Sequence, residues 1–429
     1  MMRNPLLGIL AVGALGAVGC ADEPNAPLDP GLDPRIQWIT HLTAGTFYGS
    51  PALSADQSTV YIGTSTPFAG AVPRQHELVA LAVATGAQQW SFPLGFAEVR
   101  STPAVHSDGS ITFLIEERNL SGGFVKTEVV RVSSSGSEVW RRPLGIPPGR
   151  VEIGFSAPAV GADGGVFVAA DSLYALNNDG TVRWTRFGST EDIRATPTIG
   201  ADGTVYFAAR NVPLTALDPV TGDVIWSEDL GTNGHVYGAP ALGADGTIYV
   251  ATEACVLYAV SAAGTILWDF DATLGGSSCA MRGSPAVGAD GTIYVGTTDR
   301  LPRPVMFALR PNGSVRWTFL PSDLSIEIAA ANSDIFSSPA IGNDGTLYFG
   351  HEAQRLYAVS AEGGGLRYAV QTETISQYVW SSPAITSTGT LLISDVSGRV
   401  YAITTESGGL QTSAPWPRFR GGNQGTGRR

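Results

Sequence analysis

Apolar and polar positions alternate in short bursts along nearly the whole chain. Runs such as Ile293-Tyr294-Val295-Gly296 and Leu257-Tyr258-Ala259-Val260 are rich in β-branched and aromatic residues and are bounded by Gly, Asp and Pro. Bursts of this length and make-up predict strands joined by tight turns. One stretch breaks the pattern: Leu6 to Val18 is a continuous apolar run behind Arg3. It is too short for a helical bilayer span, which takes about 20 residues, and has the size of a signal-peptide core.

The strand pattern is periodic. A unit opening with two small residues and Pro, most often followed by Ala, recurs eight times, at Pro51, Pro103, Pro158, Pro197, Pro240, Pro285, Pro339 and Pro383. The mean step is about 47 residues, which holds four short strands, the size of one propeller blade. A second signature, Gly-x-x-x-Trp, recurs in register at Trp90, Trp140, Trp184, Trp226, Trp268 and Trp317, with Tyr368 in the seventh place. The eighth aromatic is missing, since Gly408 is followed four residues on by Thr412, yet a spare copy stands in front as Arg35-Ile36-Gln37-Trp38. That N-terminal strand is expected to complete the last unit and leave no open edge. The alternative fourth strand is Leu410-Gln411-Thr412.

These two signatures together resemble the PQQ-type β-propeller repeat over roughly residues 35–413. The resemblance implies an all-β chain: an eight-bladed β-propeller of four-stranded PQQ-like blades, with the N-terminal strand closing the last blade. It also implies that the blade-closing tryptophans, here Trp38, Trp90, Trp140, Trp184, Trp226, Trp268 and Trp317, dock neighbouring blades together. Among lipoproteins, such a propeller is similar to the BamB family of outer-membrane assembly subunits. The segment Trp416-Pro417-Arg418-Phe419-Arg420-Gly421-Gly422-Asn423 is similar to a tail on other secreted PQQ-like repeat proteins.

The two faces of such a ring differ in sequence. Turns after the first strand are short and uniform, as in Ala162-Asp163-Gly164 and Ala244-Asp245-Gly246, and Asp-Gly is a tight-hairpin signal. One carboxylate per turn does not make a calcium site, which takes six or more oxygens. The length variation lies on the opposite face, in loops 64–77, 116–127, 141–155, 269–283, 297–304 and 320–337. Binding usually resides in such varied loops on a rigid scaffold. Cys255 and Cys279 fall on this face in adjacent blades and are expected to form a disulfide.

The position three before each anchor proline is Tyr48, Arg100, Phe155, Arg194, Tyr237, Arg282, Phe336 or Trp380, always Arg or aromatic. The two positions between are always small. This column falls at the rim of the central channel on the long-loop face. Arg forks bind carboxylates, aromatic faces stack, and both types anchor protein interfaces. The column is therefore the candidate ligand- or partner-binding rim, and packing between blades is the competing reading.

Composition and charge narrow the function. The formal net charge of −12 argues against a nucleic-acid partner, which needs a basic stripe. The apolar leader ends Ala17-Val18-Gly19-Cys20, which resembles a bacterial lipobox, so Cys20 is expected to be lipidated. The organisation read from sequence is a signal peptide at 1–19, the lipidated Cys and a Pro- and acid-rich tether at 20–34, the propeller at 35–413 and a tail at 414–429. Membrane contact is expected only through the lipid, placing the chain in the cell envelope on the outer membrane.

Catalysis is not expected. The resemblance to quinoprotein dehydrogenases implies a vicinal Cys pair on the quinone and Glu, Asn and Asp ligands for calcium. No two cysteines are adjacent here, and His41, His76, His106, His235 and His351 are scattered. No cofactor or metal is assigned. The favoured reading is a non-enzymatic envelope lipoprotein that docks a protein partner. The alternatives are a PQQ- and calcium-dependent dehydrogenase and a carbohydrate- or peptidoglycan-binding module with a glycan or peptide ligand.

Overall fold

The computed structural model describes residues 32–46, 49–66, 75–119, 124–145, 156–188, 195–210, 212–231, 235–273, 279–298, 304–321, 335–372 and 378–429. The leader, Cys20 and most of the tether lie outside these residues, as do Tyr48, Phe155 and Arg194 and parts of the long loops. Every regular element among the described residues is a β-strand. The strands form eight antiparallel sheets, seven of four strands and one of five, in the order of a closed propeller.

Blade 5 shows the plan. Ala241–Leu242 is innermost, followed outward by Ile248–Ala251, Val256–Val260 and Ile266–Asp271. The second strand is buried throughout, because neighbouring blades cover both its faces; a continuous apolar run is what such a strand needs. The outer strand alternates partly buried with exposed positions, because its edge meets water. Blade 2 is enlarged: Ala97–Glu98 pairs with Ile111–Arg118 beside the usual inner strand Ala104–Val105. Blade 8 is built from both ends of the chain. Its outer strand is Ile36–His41, paired with Arg399–Thr404, with Trp38 opposite Ala402 and His41 opposite Arg399. Leu410 instead makes one bridge to Gly342 in blade 7, so the alternative closing strand is not used.

The asparto-glycine turns are stapled by their own carboxylates. Oδ1 of Asp163, Asp202, Asp245, Asp290 and Asp344 accepts the N–H two residues on, at 2.9–3.1 Å. The Thr247 N–H is the main reason the Asp245 carboxyl sits below the ordinary range.

Between blades, seven tryptophans repeat one contact. The indole Nε1–H of Trp38, Trp90, Trp140, Trp184, Trp226, Trp268 and Trp317 donates to a turn carbonyl of the next blade at 2.8–3.1 Å. Each ring also lies flat on a glycine of that turn. A Cβ on Gly264 would stand 2.6 Å from Trp226, and its φ of +87° also favours glycine. At the seventh place Tyr368 replaces Trp, and the Arg35 guanidinium covers its ring at 4.1 Å.

A second girdle runs closer to the axis and uses the small residue just before each anchor proline. The Ser50 N–H donates to Thr102 Oγ1, Ala157 to Thr196, Ala239 to Ser284, Ser284 to Ser338, Ser338 to Ser382, and Ser382 back to Ser50, at 2.7–3.0 Å. Two of the eight junctions lack this link. Their acceptor positions are Ala157 and Ala239, which carry no hydroxyl. The small residues flanking the rim column therefore do more than leave space: they fasten each blade to the next.

The C-terminal tail closes the short-turn end of the channel by making one lap around it. The Trp416 and Pro417 carbonyls accept the Val287 and Ile341 N–H groups of blades 6 and 7 at 2.8 Å. The Asn423 side chain then pairs with both backbone groups of Ile385 in blade 8. Carbonyls of Asn423, Gln424, Thr426 and Gly427 accept Leu53, Val105, Val160 and Ile199 of blades 1 to 4 at 2.8–2.9 Å. Arg429 ends the lap on the Gly243 and Ala244 carbonyls of blade 5. Each inner strand is only two residues long, and its free edge faces the axis. The tail gives most of those edges the partner that an unpaired buried N–H requires.

Candidate functional site

At the opposite, long-loop end, four rim residues from consecutive blades form a continuous arc. The Arg282 guanidinium lies 5.8 Å from the Tyr237 ring on one side and 5.1 Å from the Phe336 ring on the other. Phe336 meets Trp380 with centroids 4.8 Å apart. Trp380 in turn stacks on Tyr378 at 5.4 Å, with their planes only 7° apart. Each of these residues sits where the chain leads into an inner strand, so the rigid ring sets their spacing. The small residues behind them let large flat groups converge. Arg282 keeps 37 % of its side chain exposed, enough for its fork to meet a ligand.

Two acidic residues that the sequence reading missed orient the arc. Glu253 lies 3.5 Å from Arg282, and Glu352 accepts the Trp380 Nε1–H at 3.0 Å. Both stand in the second-to-third-strand turn of the preceding blade. The signal was present: Thr252-Glu253-Ala254-Cys255 and His351-Glu352-Ala353-Gln354 occupy one repeat position, and Cys255 and Gln354 share a φ near +60°. The Glu253 turn is tied down further. Cys255 and Cys279 form a disulfide with Cα atoms 5.5 Å apart, and the Met281 N–H donates to Thr252 O at 3.1 Å. Closing a loop of this length contributes roughly 3–4 kcal/mol by the chain-entropy account.

Arg100 departs from the column. It is 4 % exposed, with Nε on Glu98 Oε2 at 2.7 Å and Nη2 on Thr66 O at 3.0 Å. The Thr66 hydroxyl also donates to Glu98, and His76 Nε2 lies 3.6 Å from it. Burial pushes the Glu98 carboxyl up, but Arg100, Thr66 and His76 outweigh it and hold it below its usual value. The extra strand of blade 2 carries Glu98 two residues before Arg100, which draws this guanidinium inward. Arg100 therefore joins a buried ion pair instead of the exposed arc. Among the described residues the arc comprises Tyr237, Arg282, Phe336 and Trp380; Tyr48, Phe155 and Arg194 lie outside the described residues.

The described residues do not fit the quinone and calcium implied by the dehydrogenase branch of these repeats. The only cysteines among the described residues are spent in a bond between separate turns. No group of three or more His, Cys, Asp or Glu among the described residues could hold a metal ion.

Comparison with known proteins agrees with the ring. The fold is similar to the crystal structure of BamB from Moraxella catarrhalis, with a TM-score of 0.60 and 14 % identity over 86 % of this chain and 99 % of that one. It is equally similar to the C-terminal WD40 domain of Sif2, with a TM-score of 0.61 and 11 % identity over the same shares. At such identities the likeness concerns the fold. Protein Rv3035 of Mycobacterium tuberculosis is 33 % identical over 109 residues, or 25 % of this chain. The chain spans 22 % of the length of that curated relative. A family profile matches residues 169–411, from the end of the second strand of blade 3 to just before the tail. That match covers more than half of the sequence, and the chain belongs to the family described as outer membrane protein assembly factor BamB.

Proposed function

We propose that this chain is a non-enzymatic scaffold of the cell envelope whose long-loop rim docks a protein partner, in the outer-membrane assembly role that the family description names. The observation that carries the reading is the unbroken Tyr237–Arg282–Phe336–Trp380 arc. Arg and aromatics dominate the binding energy of protein interfaces, and here rigid blades hold them in advance, which lowers the ordering cost of binding. The tail covers the other end of the channel, which leaves this face as the one with varied loops. The lipobox supports a lipid on Cys20, from which the Pro- and acid-rich tether hangs the ring.

The test is crosslinking capture from detergent-solubilised envelopes, comparing wild type with an Arg282→Ala/Trp380→Ala double variant of unchanged thermal stability. Capture of an outer-membrane assembly protein by wild type, falling at least tenfold in the variant, supports the reading. Equal capture by both, or none by wild type, refutes it. The near-parallel Tyr378–Trp380 pair favours a second reading, a stacking platform for a sugar ring. Quenching of Trp380 fluorescence by peptidoglycan fragments, lost in Trp380→Phe, would select that reading.

A further inference from the structure

The tail that closes the channel carries two charges that its protein contacts do not neutralise. Arg418 and Arg420 are both 0 % exposed. Their acceptors are neutral and mostly distant. Arg418 Nη2 reaches Pro51 O at 3.3 Å and its Nη1 reaches Asn423 Oδ1 at 3.4 Å, while Arg420 Nη1 donates to Thr102 O at 3.1 Å. Arg418 Nε, Arg420 Nε and Arg420 Nη2 have no acceptor among the described residues. The segment from Leu410 to Arg429 holds four arginines and no acidic residue, in a chain whose net charge is −12.

Their direction is set by the contacts. The tail backbone crosses blades 1 and 2 at Leu53 and Val105, whereas the two guanidiniums reach Pro51 and Thr102, on the lead-ins just before the same inner strands. Both side chains therefore run from the tail into the channel, side by side on adjacent blades. Arg420 takes this path with a φ of +63°, a backbone state that a long side chain adopts only under constraint.

A buried ion without a counter-charge costs several kcal/mol, and a second like charge nearby adds to it. Burial lowers both guanidiniums to about 9, with Arg418 adding to the effect on Arg420, so both remain cationic at neutral pH. Two cationic forks with unused donors, facing one small-residue channel, match an acceptor-only ligand bearing two charges.

We propose that the closed end of the axial channel binds one small oxyanion, of phosphate or sulfate size, between Arg418 and Arg420. The ion neutralises the pair and joins the tail to blades 1 and 2. The site is separate from the rim and does not depend on what the rim docks.

The test uses the full chain. Protein purified without added phosphate or sulfate, desalted and denatured, is expected to release about one oxyanion per chain, and ion chromatography identifies which. After the ion is exchanged out, inorganic phosphate or sulfate should raise the thermal midpoint saturably at constant ionic strength, where chloride does not. Arg420→Gln and Arg418→Gln should each weaken that apparent affinity at least tenfold. If wild type releases no oxyanion and shows no saturable rise, the proposal fails, whether or not the variants fold. An equal rise in wild type and variants means an adventitious ion only, and also overturns it.

Discussion

Replacing Ser338 by Ala removes one link of the inner girdle and tests whether those links hold the ring. Ser338 Oγ accepts the Ser284 N–H at 2.8 Å, and both residues are almost fully buried. Alanine would leave that N–H without its partner, a loss of about 1–3 kcal/mol for a buried donor. Unfolding entropy of roughly 2.1 cal/mol/K per residue makes about 0.8 kcal/mol/K for a ring of this size, so the midpoint should fall by about 1–4 °C. Ser338→Thr should recover most of the loss, because Thr102 and Thr196 fill the same role at two other junctions. Calorimetry gives the midpoint, and amide hydrogen exchange at Ser284 gives the local effect. An unchanged midpoint together with unchanged protection of the Ser284 amide would refute the reasoning. So would a threonine variant as unstable as the alanine one.

The outer girdle predicts a contrast between two glycines of one turn. Gly364→Ala puts a Cβ 2.7 Å from Trp317 at a φ of +72° and should cost more than about 2 kcal/mol, whereas Gly363→Ala meets nothing within 4 Å and should stay within about 0.5 kcal/mol; denaturant titration of both variants measures the difference. Acid sensitivity should come in part from His106. Burial is the main force lowering its pKa to about 4 from the ordinary 6.5, and its Nε2 is 2.7 Å from the Thr112 hydroxyl. The unfolded chain then binds more protons between those values, so this contribution is complete above pH 6.5 and is lost as pH falls toward 4. The loss is up to about 3 kcal/mol, and stability measured against pH should flatten across that window in His106→Gln.

The ring could be read from the chain because each blade repeats the same local signals. Pro-Ala lead-ins, Asp-Gly turns and Gly-x-x-x-Trp strands are sequence-local, and even closure was visible as one missing aromatic and one spare. The small residues beside the rim column were visible too, but their hydroxyl-to-amide links were not, since each partner lies about one blade away. Arg100 and Arg282 look alike in sequence because both occupy one repeat position. What separates them is Glu98, carried on an extra strand that among the described residues only blade 2 possesses, together with Thr66 and His76 from blade 1. Glu253 and Glu352 are legible in the repeated Glu-Ala turn, whose signal is a recurring charge and not a glycine or proline. The lap of the tail left no local trace, because its contacts are to backbone groups of seven inner strands and one turn spread across the chain.

That lap has a consequence for the order of events as the polypeptide folds. The first strand among the described residues, Ile36–His41, pairs with Arg399–Thr404, which is made last, and the tail follows within a few residues. Each inner strand offers the tail only one or two hydrogen bonds, too few to hold it alone. The tail can bind well only when all blades stand in a circle at once, so each contact raises the local concentration for the next. Seating of the tail is therefore expected to require the complete ring: an interrupted chain lacks it, and a ring missing one blade presents the wrong circumference. Once seated, it makes opening any single junction a matter of releasing several others, so an intact tail is expected to slow unfolding.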